Sequence, residues 1–169
     1  MFNSELLIES EIGKGSRFHF TMEMTINQNR KLYINEQSRK LTPLTGVKIL
    51  LAEDNHVNLS IAKRFLSKWG IEVTEATNGL EAVEKFGAST FDLLLLDLEM
   101  PEMDGATALK EIRKFNKETP AVAFTAAVYD NMQVDLLEKG FVDYIHKPFR
   151  PEDLHAKIEG LVSSHGQRA

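Results

Sequence analysis

A chain of 169 residues with 43% apolar content can bury one core of ordinary size and carry an appendage. It has no cysteine, which excludes a disulfide scaffold and thiolate chemistry, and its net charge of −5 argues against a nucleic-acid surface. No stretch reaches the roughly 18 consecutive apolar residues of a membrane span, and no basic patch and apolar run open the chain, so a cytoplasmic protein without a leader is expected.

The first elements in chain order are two short strands, "ELLIES" and "SRFHFTMEM", joined by the turn "EIGKG". Phe18, Phe20, Met22 and Met24 alternate along one face of the second. A lone hairpin is marginally stable, so this face needs a partner. Residues 1–26 are assigned to the hairpin and 27–45 to a polar linker without regular periodicity, apart from a short run around Leu32 to Ile34. Residues 1–45 hold six of the 20 basic and five of the 25 acidic side chains, leaving 14 and 20 beyond them. The acidic character therefore belongs to the main domain, assigned to residues 46–163, with 164–169 as a tail.

Within that domain five apolar runs read as strands: Val47 to Ala52, Glu72 to Ala76, Phe91 to Asp97, Ala121 to Thr125 and Asp143 to His146. "LLLLD" lacks any alternation, as a central strand buried on both faces requires. Amphipathic stretches separate the runs, with Leu59, Ala62, Leu66 and Trp69 at helical spacing, then Leu109 with Ile112, then Leu154, Ile158, Leu161 and Val162. Gly70 and Gly140 stand where helices should end in left-handed caps. The pattern is βα five times over, an α/β fold with a parallel sheet covered on both faces.

Ligands of such sheets bind beyond the carboxyl ends of the strands, where strand order reverses. Those ends carry Glu53, Asp54 and Asn55, then Asp97, then Thr125 and Ala126, then Lys147 and Pro148. Three crowded carboxylates must hold protons or a cation. With no His or Cys cluster at ligand spacing, Mg²⁺ fits better than zinc, because it takes oxygen ligands and is usually held by one or two carboxylates with phosphate oxygens. A carboxylate beside such an ion can attack phosphorus, and Lys147 and Thr125 are of the type needed to stabilise the transferred group. His146 stands inside the fifth strand, where packing is expected; the other histidines, 19, 56, 155 and 165, have no partner recognisable by spacing.

"ILLAEDN", "DLLLLDLEMPEMDG", "AVAFTA" and "YIHKPF" together resemble, in order and spacing, the signature segments of two-component receiver domains, the response-regulator family. The resemblance implies a flavodoxin-like, doubly wound five-stranded parallel sheet in the order 2-1-3-4-5. It implies that Asp97 accepts phosphate from a phosphohistidine, that Asp54, Asp97 and the carbonyl of Glu99 bind Mg²⁺, and that Glu53 acts through water. Lys147 would pair with the phosphoryl group, Thr125 would move to bond it, and Tyr144 would be the switch aromatic. Pro101 and Gly105 match the family's loop after the phosphorylated strand. The bond before Pro148 is typically cis in the family. Glu99 and Ala127 would influence the lifetime of the phosphoryl group.

"IESEIGKGSRFHFTM" resembles the last two strands of the ATP-binding domain of histidine kinases, without that family's nucleotide-binding motifs. The two resemblances imply the C-terminal piece of a hybrid histidine kinase, with membrane anchoring of the parent left open. Its partners would be the kinase core and a histidine phosphotransfer protein, with no nucleic acid and no membrane contact by this piece. The hairpin would dock on the receiver or pair with a second copy as a homodimer. Two other classes stay open: an aspartate-nucleophile phosphatase, which would want an aspartate at position 99, and a stand-alone receiver acting by protein binding.

Overall fold

The computed structural model describes residues 6–21, 41–126 and 131–165. Met22, Met24, the run around Leu32 to Ile34 and Ala127 lie outside them. The chain forms two compact units, residues 1–38 and 39–169. In the first, strands β1 (Leu6–Glu11) and β2 (Gly15–Phe20) pair antiparallel, Leu6 opposite Phe20 and Ile8 opposite Phe18. The turn closes through the Lys14 N–H on the Glu11 carbonyl at 3.0 Å. The side chains of Leu6, Ile8, Phe18 and Phe20 are exposed.

The second unit contains β3 (Lys48–Ala52), α1 (His56–Lys68), β4 (Glu72–Ala76), α2 (Gly79–Ala88), β5 (Leu93–Asp97), α3 (Gly105–Ile112), β6 (Ala121–Thr125), α4 (Met132–Glu138), β7 (Asp143–His146) and α5 (Pro151–His165). All five strands are parallel, in the spatial order β4-β3-β5-β6-β7, the expected 2-1-3-4-5 winding. The four leucines of β5 are fully buried and divide between two cores. Leu93 and Leu95 join Leu59, Leu66, Trp69, Leu154 and Ile158 beneath α1 and α5, while Leu94 and Leu96 join Phe86, Leu109, Ile112 and Leu136 beneath α2, α3 and α4. An unalternating apolar run is thus what a strand with helices on both faces needs. Gly70 and Gly140 have φ of +84° and +92°, and each immediately follows a helix C-cap, as their spacing predicts.

One histidine departs from expectation, and a second has a partner that spacing does not disclose. His146 ends the edge strand β7 with its side chain exposed, so packing is not its role. His155, on α5, is only 1% exposed: Nε2 donates to the Thr42 carbonyl at 2.8 Å and the ring stands edge-on to Trp69 at 4.8 Å. The Leu44 N–H donates to the Trp69 carbonyl at 2.7 Å and Leu44 is buried in the α1/α5 core, so the segment entering the domain is fastened to it before β3 begins. Thr42 and His155 are 113 positions apart, too far for local spacing to pair them.

Candidate functional site

The site is built by carrying the sheet ladders one residue past the strands. Glu53 follows β3, and its N–H donates to the Ala76 carbonyl at 3.0 Å; Lys147 follows β7, and its N–H donates to the Thr125 carbonyl at 2.7 Å. Asp97 is the last residue of β5, between them in the sheet. Strand order reverses at β3 and β5, so the two buried acids sit at the switch point. Glu53, Asp97 and Thr125 are 1%, 5% and 1% exposed, whereas Asp54 is open to solvent.

One ammonium serves two carboxylates. Lys147 Nζ lies 2.7 Å from Glu53 Oε2 and 2.6 Å from Asp97 Oδ2, and 5.0 Å from the centre of the Phe124 ring, against which it packs. The other oxygens are also held: Asp97 Oδ1 accepts the Glu99 N–H at 3.2 Å, and Glu53 Oε1 accepts the Asn55 N–H at 3.3 Å and Asn58 Nδ2 at 3.1 Å. Burial pushes the Glu53 carboxyl up from its ordinary range, and hydrogen bonds from Lys147 and Asn58 offset this only in part. Carboxylate oxygens of Glu53, Asp54 and Asp97 lie within 4.8 Å of one another. Three carboxylates against one ammonium leave an excess of two negative charges when all are ionised. All the donor atoms are hard oxygens, so the cluster fits a divalent ion of the Mg²⁺ type.

The loop after β5 is clamped from behind. A Cβ on Gly105 would meet the Asp97 carbonyl oxygen at 2.1 Å and the Leu96 Cβ at 3.3 Å, so only glycine allows α3 to start this close to the phosphoacceptor candidate. Gly105→Ala is expected to destabilise the fold by about 1–3 kcal/mol through overpacking and to shift Asp97 away from Lys147. Urea denaturation and the Lys147–Asp97 separation in a variant structure would check both.

Thr125 is buried at the end of β6 beside Lys147, and Tyr144 is half-buried on β7, its ring 5.7 Å from Lys157 Nζ. Glu99 is exposed and reaches the site through its N–H. The Lys147–Pro148 peptide is cis, as the family pattern implies. Sequence reasoning missed Asn58; its signal is the spacing E-D-N-x-x-N, which sets an amide on the first helical turn after the acidic pair.

A doubly wound sheet that gathers two buried acids, a third exposed acid and a lysine at its switch point has the architecture of a signalling receiver. The family described as response regulator receiver domain matches residues 49–159, and the chain belongs to it. Among curated relatives, the transcription factor SKN7 of Candida albicans is 42% identical over 69% of this chain and 20% of its own length. The autoinducer 2 sensor kinase/phosphatase LuxQ of Vibrio vulnificus is 34% identical over 94% of this chain and 19% of its own. Hybrid signal transduction histidine kinase K of Dictyostelium discoideum is 33% identical over 96% and 15%. The chain thus spans about a fifth or less of these relatives. Among solved structures, the receiver domain of sensor histidine kinase PA1611 from Pseudomonas aeruginosa, with a magnesium ion coordinated in its active-site cleft, is 31% identical with a TM-score of 0.66, covering 70% of this chain and 99% of that one.

Proposed function

We propose that Asp97 accepts a phosphoryl group from a phosphohistidine and passes it to a histidine phosphotransfer protein, within a hybrid histidine kinase. The observation that carries the reading is Lys147 Nζ shared between the buried carboxylates of Glu53 and Asp97. In the transfer, the N–P bond of the phosphohistidine breaks, its electron pair returning to the imidazole nitrogen, while a carboxylate oxygen of Asp97 bonds to phosphorus. Asp54, Asp97 and the Glu99 carbonyl would hold Mg²⁺, with Glu53 acting through water, and the bound ion would supply positive charge for the phosphoryl oxygens. Lys147 supplies a second positive charge, and the hydroxyl of Thr125 turns to donate to the acquired oxygens. Tyr144 then moves inward into the vacated space, altering the surface around α4 and β7. The hybrid origin is supported by the reach of the alignments. Those with LuxQ and kinase K take in 94% and 96% of the chain, against 69% for SKN7. Among the described residues no helix is long and apolar enough to cross a membrane.

Incubation with acetyl phosphate and Mg²⁺, read by intact mass, tests the acceptor role. A stable adduct of one phosphoryl group supports it; turnover without an adduct points to a phosphatase, and no reaction to a binding module.

The raised Glu53 carboxyl gives the ion a pH dependence of definite sign. The folded protein without the ion holds the Glu53 proton above the ordinary value of 4.5, so this group's contribution to stability is full below that value and is lost as pH rises through the raised one. The cation competes with that proton. The Mg²⁺ dissociation constant is therefore expected to rise as pH falls from neutral toward the raised value, and Glu53→Gln to bind more weakly with a flatter profile. Calorimetric titration at stepped pH checks both.

A further inference from the structure

Helix α1 starts directly out of the acidic loop, and its first turn is capped in an uncommon way. Asn55 is the N-cap, its Oδ1 accepting the N–H groups of Val57 at 2.9 Å and Asn58 at 3.2 Å. In a capping box, the side chain three residues further on accepts the N–H of the N-cap residue itself. Here that N–H donates to Glu53 Oε1 instead, at 3.3 Å, and Asn58, which holds the third position, donates its Nδ2 to the same oxygen at 3.1 Å. A carboxylate oxygen only accepts, so the amide must present its NH₂ side. The two oxygens of Glu53 are therefore divided. Oε1 belongs to the helix start, and Oε2 accepts from Lys147 Nζ at 2.7 Å, the ammonium that also donates to Asp97 Oδ2 at 2.6 Å.

We propose that Asn58 is a positioning residue for the cation site: by occupying Glu53 Oε1 it fixes the rotamer of a long, flexible side chain so that Oε2 stays presented to the water of the ion. A glutamate has one more rotatable bond than an aspartate, and two donors on one oxygen restrain that freedom. Partners that orient a direct metal ligand change affinity by about 10–100-fold; Glu53 acts through water, one shell further out, so the lower end of that range applies. The inference rests on the Mg²⁺-dependent acceptor reading given above.

The test is a calorimetric Mg²⁺ titration, without phosphodonor, of the full chain as wild type, Asn58→Ala, Glu53→Ala and the double variant. Alanine is a better helix former than asparagine and leaves the Asn55 cap in place, so Asn58→Ala should keep the fold, with thermal unfolding as the control. Asn58→Ala is expected to raise the dissociation constant about tenfold. Its acceptor rate from acetyl phosphate should return to within about twofold of wild type once Mg²⁺ saturates, because the nucleophile and lysine are untouched. In the Glu53→Ala background the same substitution should add less than about twofold, since its route of action is gone. An unchanged dissociation constant in Asn58→Ala would overturn the inference, and so would an undiminished tenfold loss in the Glu53→Ala background. Wild-type protein that binds no Mg²⁺ would sink the acceptor reading and this inference together; wild-type binding with Asn58→Ala unaffected sinks the inference alone.

Discussion

Asp97→Asn is expected to abolish the phosphoryl adduct that the wild-type chain gains from acetyl phosphate and Mg²⁺. The amide nitrogen and oxygen cannot form an acyl phosphate, and no other described carboxylate combines the burial of Asp97 with contact to Lys147 Nζ except Glu53, whose Oε1 is held by Asn55 and Asn58. The substitution is nearly isosteric and leaves the Glu99 N–H an oxygen to bond, so the fold should survive. Intact mass after incubation, with circular dichroism as control, decides the matter: an adduct persisting in Asp97→Asn would move the nucleophile elsewhere.

Lys147→Met should have the larger effect on stability. The side chain is 12% exposed and is the ammonium partner of both Glu53 and Asp97. Methionine keeps the stem against Phe124 but leaves two buried carboxylates facing each other. Removing one partner of a buried ion pair costs about 3–5 kcal/mol, and partial solvent access with Asp54 at the rim places this case near the lower figure. The pH dependence identifies the cause. Lys147 lowers the Glu53 pKa, so its loss lifts the folded-state value further. Protonation then relieves the repulsion, so the penalty is full at neutral pH and shrinks as pH falls through the raised value. Denaturant unfolding at neutral and mildly acidic pH measures it; an equal loss at both would assign the effect to packing. Mg²⁺ should restore part of the lost stability, since ligand binding to the folded state alone adds to it.

The five strands were legible because each is a short apolar run bounded by polar or turn residues, and the buried centre of the sheet requires such runs. Val47 to Ala52 overshoots the start of β3 by one residue and Phe91 to Asp97 that of β5 by two; the remaining three strands coincide with the observed bounds. Glu53, Asp97, Thr125 and Lys147 could be read as one cluster because a parallel sheet puts the carboxyl ends of all its strands along one edge. That is a property of topology, which the βα repeat discloses. What the linear order could not disclose was the partner of each atom. Nothing in the spacing pairs His155 with Thr42, and packing of a histidine inside a predicted strand was the wrong reading for His146, because β7 is an edge strand and its last side chain meets solvent.

The sequence by itself determined the order of elements, the acidic edge and the chemical types gathered there, since these follow from periodicity and from where strands end. Only the tertiary structure decided that one lysine is shared by two buried acids, that Gly105 must lack a side chain beneath Asp97, and that Asn58 divides the oxygens of Glu53. Hydrogen bonds and steric contacts act over a few ångströms, and folding brings residues 94 positions apart, such as Lys147 and Glu53, inside that range.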